Sequence, residues 1–205
     1  EPTGAACLKA SLEAGEVTTV SKINTIADGT AVQTPGDKLF PYLQANVDQV
    51  ITVDDSELTL SFLDMAENHK MIVENSGLLT VAALKHLDFK GKKVVSVLSG
   101  GNMDVLTMAT VVQNGLMQRD RIFTVSVMLP DKPGQLAAVS SLIAKEQGNV
   151  IKLEHNVFAN VNRTAGVELT ITLESFGTEH KDQIIKALEA AGYCPVITKT
   201  NGIYM

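Results

Sequence analysis

The stretch Val94-Val95-Ser96-Val97-Leu98-Ser99-Gly100-Gly101-Asn102 is an apolar run that ends on a hydroxyl, two glycines and an amide. A helical pattern follows from Met103 to about Met117. In open α/β sheets, ligands sit at the carboxyl ends of strands, against the N-terminus of the next helix. Ser99 there could donate a hydrogen bond to a ligand, cap the helix that follows, or do both. Glu74 is a second candidate. Its carboxylate could orient a bound ring or substrate, or sit in a first helical turn favoured by the helix dipole. The third candidate is the turn Pro130-Asp131-Lys132-Pro133-Gly134-Gln135-Leu136. Gly134 lets the backbone approach a ligand, and the amides after it can take a carboxylate at a helix N-terminus. His69, His86, His155 and His180 show no metal-ligand spacing and read as ordinary surface or cap histidines.

The elements that must position these residues change character along the chain. The opening Glu1-Pro2-Thr3-Gly4 leads at once into a helix with Ala5, Leu8 and Leu12 on one side. Thr34-Pro35 reads as a helix start, with Thr as N-cap and Pro in the first position. Residues 49–53 form a short buried strand. Asp54-Asp55-Ser56 caps a helix whose apolar face is Leu58, Phe62, Met65 and Ala66. A third helix covers 73–86, and 92–98 is the next strand. Val-rich runs apolar on both faces suit a parallel sheet covered on two sides, so residues 1–117 read as half of a doubly wound α/β domain.

Residues 114–121 look like a linker, and 122–205 form a second domain. Ile122–Leu129 is a strand, and after the turn comes a helix with Leu136, Val139, Leu142 and Ile143 on one face. Residues 149–159 are a long strand. Val167, Leu169, Ile171 and Leu173 alternate with polar residues, a period of two that marks an antiparallel sheet with one wet face. Thr178 caps a helix with Ile184, Ile185 and Leu188 inward and Gly192 as its stop, and 195–199 is the last strand. The order is βαββαβ, with both helices on one face.

The bulk properties exclude several classes. The chain has 205 residues, of which 45% are apolar and 20% charged, at a net charge of -6. No basic stripe offers a nucleic-acid surface. No apolar run has transmembrane length and no signal peptide opens the chain, so a cytoplasmic protein with no membrane partner is expected. Cys7 and Cys194 fit neither a CxxC motif nor a disulfide framework.

Several stretches taken together resemble the threonine/serine dehydratases, pyridoxal-phosphate enzymes of the tryptophan-synthase-β fold type. Thr25-Ile26-Ala27-Asp28-Gly29 is similar to the family's Thr-(Ile/Leu)-Ala-Asp-Gly segment. Val73-Glu74 with Gly77 resembles its Glu-containing helix start near the cofactor ring. Ser99-Gly100-Gly101-Asn102 is similar to its serine-glycine-glycine-asparagine loop, and the spacing of the three agrees. The βαββαβ unit with Asp131 to Leu136 after its first strand resembles an ACT domain, a small-molecule sensing module. The resemblance implies the C-terminal part of a tryptophan-synthase-β-like α/β fold followed by a ferredoxin-like ACT domain.

It also implies pyridoxal phosphate against Ser99, Gly100 and Glu74. A serine hydroxyl is too weakly acidic to surrender its proton, so Ser99 would leave the ring nitrogen uncharged, which suits β-elimination over transamination. The implied reaction turns L-threonine into 2-oxobutanoate and ammonia, with L-serine as a slower substrate, as a step toward isoleucine. The implied effector is a small amino acid, a branched aliphatic first of all. Its contacts would be Asp131, Gly134, Gln135, Leu136 and Asn149 at the seam of a homo-oligomer paired through ACT domains. Related enzymes hold a divalent cation through a carboxylate, a backbone carbonyl and an Asp. Glu1 and Ala5 fall at the first two places, but Cys7 holds the third, and a thiol is a poor ligand for Mg²⁺ or Ca²⁺, so no metal is expected.

The Ser-Phe-Lys type motif that carries the family's Schiff-base lysine does not occur in the sequence, nor does its glycine-rich phosphate loop. The chain is therefore expected to be the C-terminal portion of a threonine dehydratase. It would have no catalytic residue of its own, be inactive alone and hold no cofactor tightly. The alternatives are a free-standing ACT-containing regulatory protein and an L-serine dehydratase of the same family.

Overall fold

A computed structural model describes residues 1–156 and 166–200. The chain divides into two compact units, Glu1–Gly115 and Leu116–Met205.

The first unit is built on helices: α1 (Cys7–Ala14), α2 (Phe40–Asn46), α3 (Asp55–Asp64), α4 (Leu79–Ala82) and the greater part of α5 (Val105–Gln118). Asp54 starts α3 as expected, through a capping box in which Glu57 Oε2 accepts from the Asp54 amide at 3.0 Å. Leu58, Phe62 and Met65 are buried and pack with Ala27, Val53, Val73, Leu78, Ala82 and Val111. A π-helical turn, Met65–His69, extends α3.

Several expectations fail in this unit, each for a local reason. The buried face of α1 is Cys7 and Ser11, with Leu8 and Leu12 only half-buried. Ser11 can be buried because its hydroxyl donates to Cys7 O at 2.7 Å and accepts from Thr18 N at 2.8 Å. Thr34-Pro35 does not start a helix. The Thr34 hydroxyl pairs with Thr19 Oγ1, the Gly36 carbonyl takes the amides of Leu39 and Phe40 in a turn, and α2 begins at Phe40 with Pro41 in its first turn. The helix expected over 73–86 is three short pieces, Asn75–Leu78, α4 and Ala83–His86, with 3-10 turns on either side of α4.

The two expected strands make no ladder. Residues 49–53 contribute only a parallel bridge between Val53 and Pro2. Residues 92–98 adopt no regular secondary structure and have no strand partner among the described residues, and Val95 and Val97 are 86% and 66% exposed. Strand structure needs a hydrogen-bonded neighbouring strand, and among the described residues 92–98 has none. The run 92–98 is instead tied to the helix beside it, Thr80 Oγ1 donating to Val97 O at 3.0 Å.

The second unit holds one four-stranded antiparallel sheet, of β1 (Ile122–Leu129), β2 (Asn149–Asn156), β3 (Val167–Glu174) and β4 (Val196–Thr198), in the order β2-β3-β1-β4. With α6 (Gln135–Lys145) and α7 (Thr178–Ala190) the order is βαββαβ. The core is one face of the sheet, Phe123, Val125, Val127, Leu129, Leu169, Ile171 and Leu173, closed by Val139, Ile143, Ile184 and Leu188 from the helices. β1 and β3 pair in full register from Ile122–Glu174 to Leu129–Val167, which is how the period of two becomes an inner face.

Three corrections apply here. Residues 114–118 belong to α5, so the linker shrinks to a turn at Arg119-Asp120. β2 covers Asn149–Asn156, and 157–159 of the expected strand lie outside the described residues. Gly177 rather than Thr178 is the N-cap of α7, because the Thr178 hydroxyl donates to Asp120 Oδ2 at 2.7 Å. α7 does stop at Gly192, in a Schellman arrangement with Gly192 N on Glu189 O and Tyr193 N on Leu188 O.

Candidate functional site

The site in the first unit is assembled by one carboxylate. Asp55, in the first turn of α3, accepts from Thr25 Oγ1 at 2.6 Å and from Ile26 N at 3.0 Å. Thr25 Oγ1 in turn accepts from Ala27 N, and Asn75 Nδ2 donates to Ile26 O at 3.0 Å. These bonds fix the Thr25 to Gly29 stretch against α3 and against the segment that carries Glu74.

The 99–102 loop comes to the same place. The Glu74 amide reaches Gly100 O at 3.4 Å. Gly100 has φ +77°, and a Cβ there would lie 2.2 Å from the Glu74 carboxyl carbon. A Cβ on Gly77 would lie 1.9 Å from Ser99 O. Glycine is required at both positions, and both close approaches join the 74–77 segment to the 99–102 loop, while Asn75 ties the Thr25 to Gly29 stretch to the same wall. That wall opens onto a cavity of about 660 Å³ lined by Thr25, Ile26, Asp28, Glu74, Asn75, Asn102, Met103, Asp104 and Thr107. Glu74 lines the cavity; Ser99 and Gly100 stand beside it and are not part of its lining.

Ser99 is exposed and does not cap a helix. Asp104 closes α5 instead, its Oδ2 accepting from Thr107 N at 2.9 Å and from Thr107 Oγ1. The Thr107 amide holds the Asp104 carboxyl below the usual carboxylate range. Glu74 occupies the N-cap position of the Asn75–Leu78 turn, but its side chain makes no capping bond. Two buried polar atoms on this segment, Asn75 Oδ1 and Ser76 Oγ, have no hydrogen-bond partner.

Glu1, Ala5 and Cys7, the three places weighed for a cation, lie at and just before the start of α1. The Glu1 carboxylate accepts from Leu8 N at 2.8 Å and Lys9 N at 2.7 Å, so it serves as the cap of α1. Cys7 is buried, and burial pushes its thiol up from the ordinary value, with the Glu1 charge adding to the effect. Among the described residues no three of His, Cys, Asp and Glu gather as a metal would need. His86 pairs with Glu57 at 2.9 Å, and His180 sits between Phe176 N and Glu146 O.

In the second unit Gly134, with φ +90°, opens α6, and no side chain caps that helix. Its first amides therefore have no partner inside the helix. Asp131 and Leu136 are exposed and Gln135 is half-buried around this end. Asn149 is not near them in the same copy. It pairs with Glu174 at the opposite end of the sheet from Leu129, with its Nδ2 on Glu174 Oε2 at 3.1 Å. A separate cavity of about 370 Å³ lies on the helix-free face of the sheet, lined by Thr124, Lys152, Glu154, Thr170, Thr172, Thr198 and Lys199.

Sequence reasoning missed Asp55, Asn75 and Asp104 as site residues. Asp55 was visible only as part of a helix cap, and Asn75 and Asp104 only as neighbours of Glu74 and Asn102. Their partners are 20 to 50 positions away or depend on which residue begins a helix, about which local patterning is silent.

The profile of the pyridoxal-phosphate dependent enzyme family matches residues 1–100, and that of the ACT domain matches residues 123–192. An L-threonine ammonia-lyase of Geobacter sulfurreducens is 36% identical over 192 residues, covering 92% of this chain and 48% of its own length. An L-threonine ammonia-lyase of Thermotoga maritima is 34% identical over 185 residues, covering 90% of this chain and 46% of its own. The chain thus spans about half the length of these relatives. Among solved structures, the processed form of threonine deaminase isoform 2 from Solanum lycopersicum matches at 28% identity with a TM-score of 0.51, over 56% of this chain and 34% of that one. With Glu74, Gly77 and the 99–102 loop packed as one wall and a βαββαβ unit behind them, the chain belongs to the pyridoxal-phosphate dependent enzymes through residues 1–100 and to the ACT domains through residues 123–192.

Proposed function

We propose that this chain is the C-terminal portion of a pyridoxal-phosphate-dependent threonine dehydratase. The parent converts L-threonine to 2-oxobutanoate and ammonia, and the ACT domain tunes it in response to a small amino acid. The observation that carries this reading is the convergence of Asp28, Glu74 and Asn102 on one cavity from three separate stretches of chain.

The residues present fit one side of the cofactor. Gly100 leaves free the space that a Cβ would take from the Glu74 carboxylate, and the exposed Ser99 hydroxyl is not used in capping. Pyridoxal phosphate, when bound, supplies an electron sink for the substrate's carbon. Ser99 would donate a hydrogen bond to the ring nitrogen and keep its own proton. Glu74 would orient the ring or substrate from beside Gly100. No Ser-Phe-Lys stretch occurs in these 205 residues, so on this reading the Schiff-base lysine and phosphate loop belong to the rest of the parent and this chain alone is inactive.

In the ACT domain the amides after Gly134, beyond Gln135 N which already reaches Lys132 O at 3.4 Å, would take the effector's carboxylate. Asp131 or Asn149 of a second copy would take its ammonium group, and Gln135 and Leu136 would shape the pocket. The separation of Asn149 from the Gly134 loop within one copy is what makes a second copy necessary for that contact. The test is the gene product from which this chain comes. Release of 2-oxobutanoate from L-threonine, dependent on pyridoxal phosphate, is expected. An intact product with the upstream lysine that releases none would overturn the reading.

A further inference from the structure

One side of the run Val94 to Ser99 is anchored to the first unit. Ser96 Oγ donates to Thr80 O at 3.4 Å, Thr80 Oγ1 donates to Val97 O at 3.0 Å, and Leu98 packs against the core that holds Leu58, Phe62 and Leu78. The other side is open, with Val95 and Val97 exposed. Among the described residues no backbone amide from Lys93 to Leu98 has a hydrogen-bond partner. No charge, proline or glycine interrupts the run from Val94 to Ser99. Natural proteins guard an open edge of that kind with charge or proline, or else cover it. A short apolar run of high β-propensity left unguarded is an aggregation hazard.

We propose that residues 93–98 are a docking edge, and that its occupant is an apolar β-strand from the part of the parent upstream of this chain. Resting on the dehydratase reading, this adds the surface through which the two parts hold together without a covalent bond. A helix is a poor occupant, because its own amides and carbonyls are already paired and it would leave those of 93–98 unsatisfied. A strand pairs the amides on its side and covers Val95 and Val97 in one step. A second copy of this chain would have to find the edge by diffusion. The relatives carry about as much chain again outside the matched part, and a tethered segment of that length meets the edge at a far higher effective concentration.

The test cuts the intact gene product. A protease site placed just before Glu1 lets the product fold whole and then be cleaved. The two pieces are expected to stay together on gel filtration. The amides of residues 93–98 are expected to exchange with deuterium at least about tenfold more slowly in the cut complex than in the 205-residue chain alone. Val95→Lys combined with Val97→Lys is expected to let the cut pieces separate, and unchanged exchange at Leu58 and Phe62 reports that the first unit is still folded. Should that variant not fold, the exchange of the unsubstituted product decides alone. Pieces that part after cleavage would overturn the proposal, as would pieces that stay together while 93–98 exchange as in the free chain. Dimerisation of the 205-residue chain that protects the same amides would also overturn it and give the edge to a second copy. Release of 2-oxobutanoate by the uncut product is read separately. An active product whose pieces part sinks this proposal and spares the dehydratase reading, and an inactive one whose pieces hold does the reverse.

Discussion

Ser99 keeps an exposed hydroxyl because Asp104, five residues on, satisfies the helix that Ser99 could have capped. Its proposed partner is the cofactor ring, and substitution in the intact parent tests this. Ser99→Ala should cost about 1–3 kcal/mol of cofactor binding or transition-state stabilisation, the value of a lost hydrogen bond to a buried polar atom. Kd for pyridoxal phosphate and kcat together measure it, and unchanged values for both would leave Ser99 without a role in the site. Ser99→Asp should protonate the ring nitrogen and divert flux from elimination to transamination, read as the ratio of the two products. Gly100 is constrained twice, by φ +77° and by the Glu74 carboxylate. Gly100→Ala should destabilise the first unit by at least about 1–2 kcal/mol, the cost of the left-handed conformation alone. Urea unfolding of the 205-residue chain is the measurement.

The elements differ in how much of their support is local. α3 begins where its capping box lies, and Asp54→Ala should cost about 1 kcal/mol. The ACT sheet rests on its inner face, so Leu169→Ala should cost about 2–5 kcal/mol through a cavity. The entry into that sheet depends on a charge. Burial alone would raise the Asp120 carboxyl, but bonds from Lys181 Nζ and the Thr178 hydroxyl, with the Lys181 charge, outweigh it and hold it below 3.8. A lowered folded-state value means stability that is present above the unfolded value and is lost as pH falls through the folded one. Acid unfolding followed by circular dichroism should therefore show a loss of ACT stability below about pH 3.8, which Asp120→Asn removes. An unchanged acid profile in that variant would show that the Asp120 clasp contributes nothing to it.

At the scale of the molecule, two units with different rules share one chain. The first leaves the 92–98 segment without a ladder and with exposed valines, while the second closes its own core. The chain alone is expected to form no covalent adduct with pyridoxal phosphate at a single lysine. Borohydride reduction followed by mass spectrometry tests this, and a stoichiometric adduct on one defined lysine would sink the idea. The 205-residue chain is also expected to pair through its ACT domains and to bind isoleucine or valine at the seam. β2 is an eight-residue edge strand with mostly exposed side chains, and natural proteins tend to pair or cover such edges. A monomer by light scattering, with no heat from isoleucine, valine, threonine or serine, would leave the ACT domain without a sensing role.

The ACT domain was legible in the sequence because its signals are local and repeat. β1 and β3 alternate along their own length, Gly134 and Gly192 bound their helices, and one antiparallel register follows from that pattern. The three stretches around Glu74 were legible as motifs for the same reason. What the sequence could not supply was whatever depends on a distant partner. Val94 to Leu98 has the composition of a buried strand, yet strand structure is a property of pairs, and no strand among the described residues pairs with it. Asp55 reads as a capping residue, and only the tertiary structure makes it the clamp on Thr25 and Ile26. Asn75 carries no signal at all until folding sets its Nδ2 on Ile26 O and buries its Oδ1 without a partner. Local patterning marks where elements can form; long-range packing decides which runs find a strand partner and which polar groups meet across the chain.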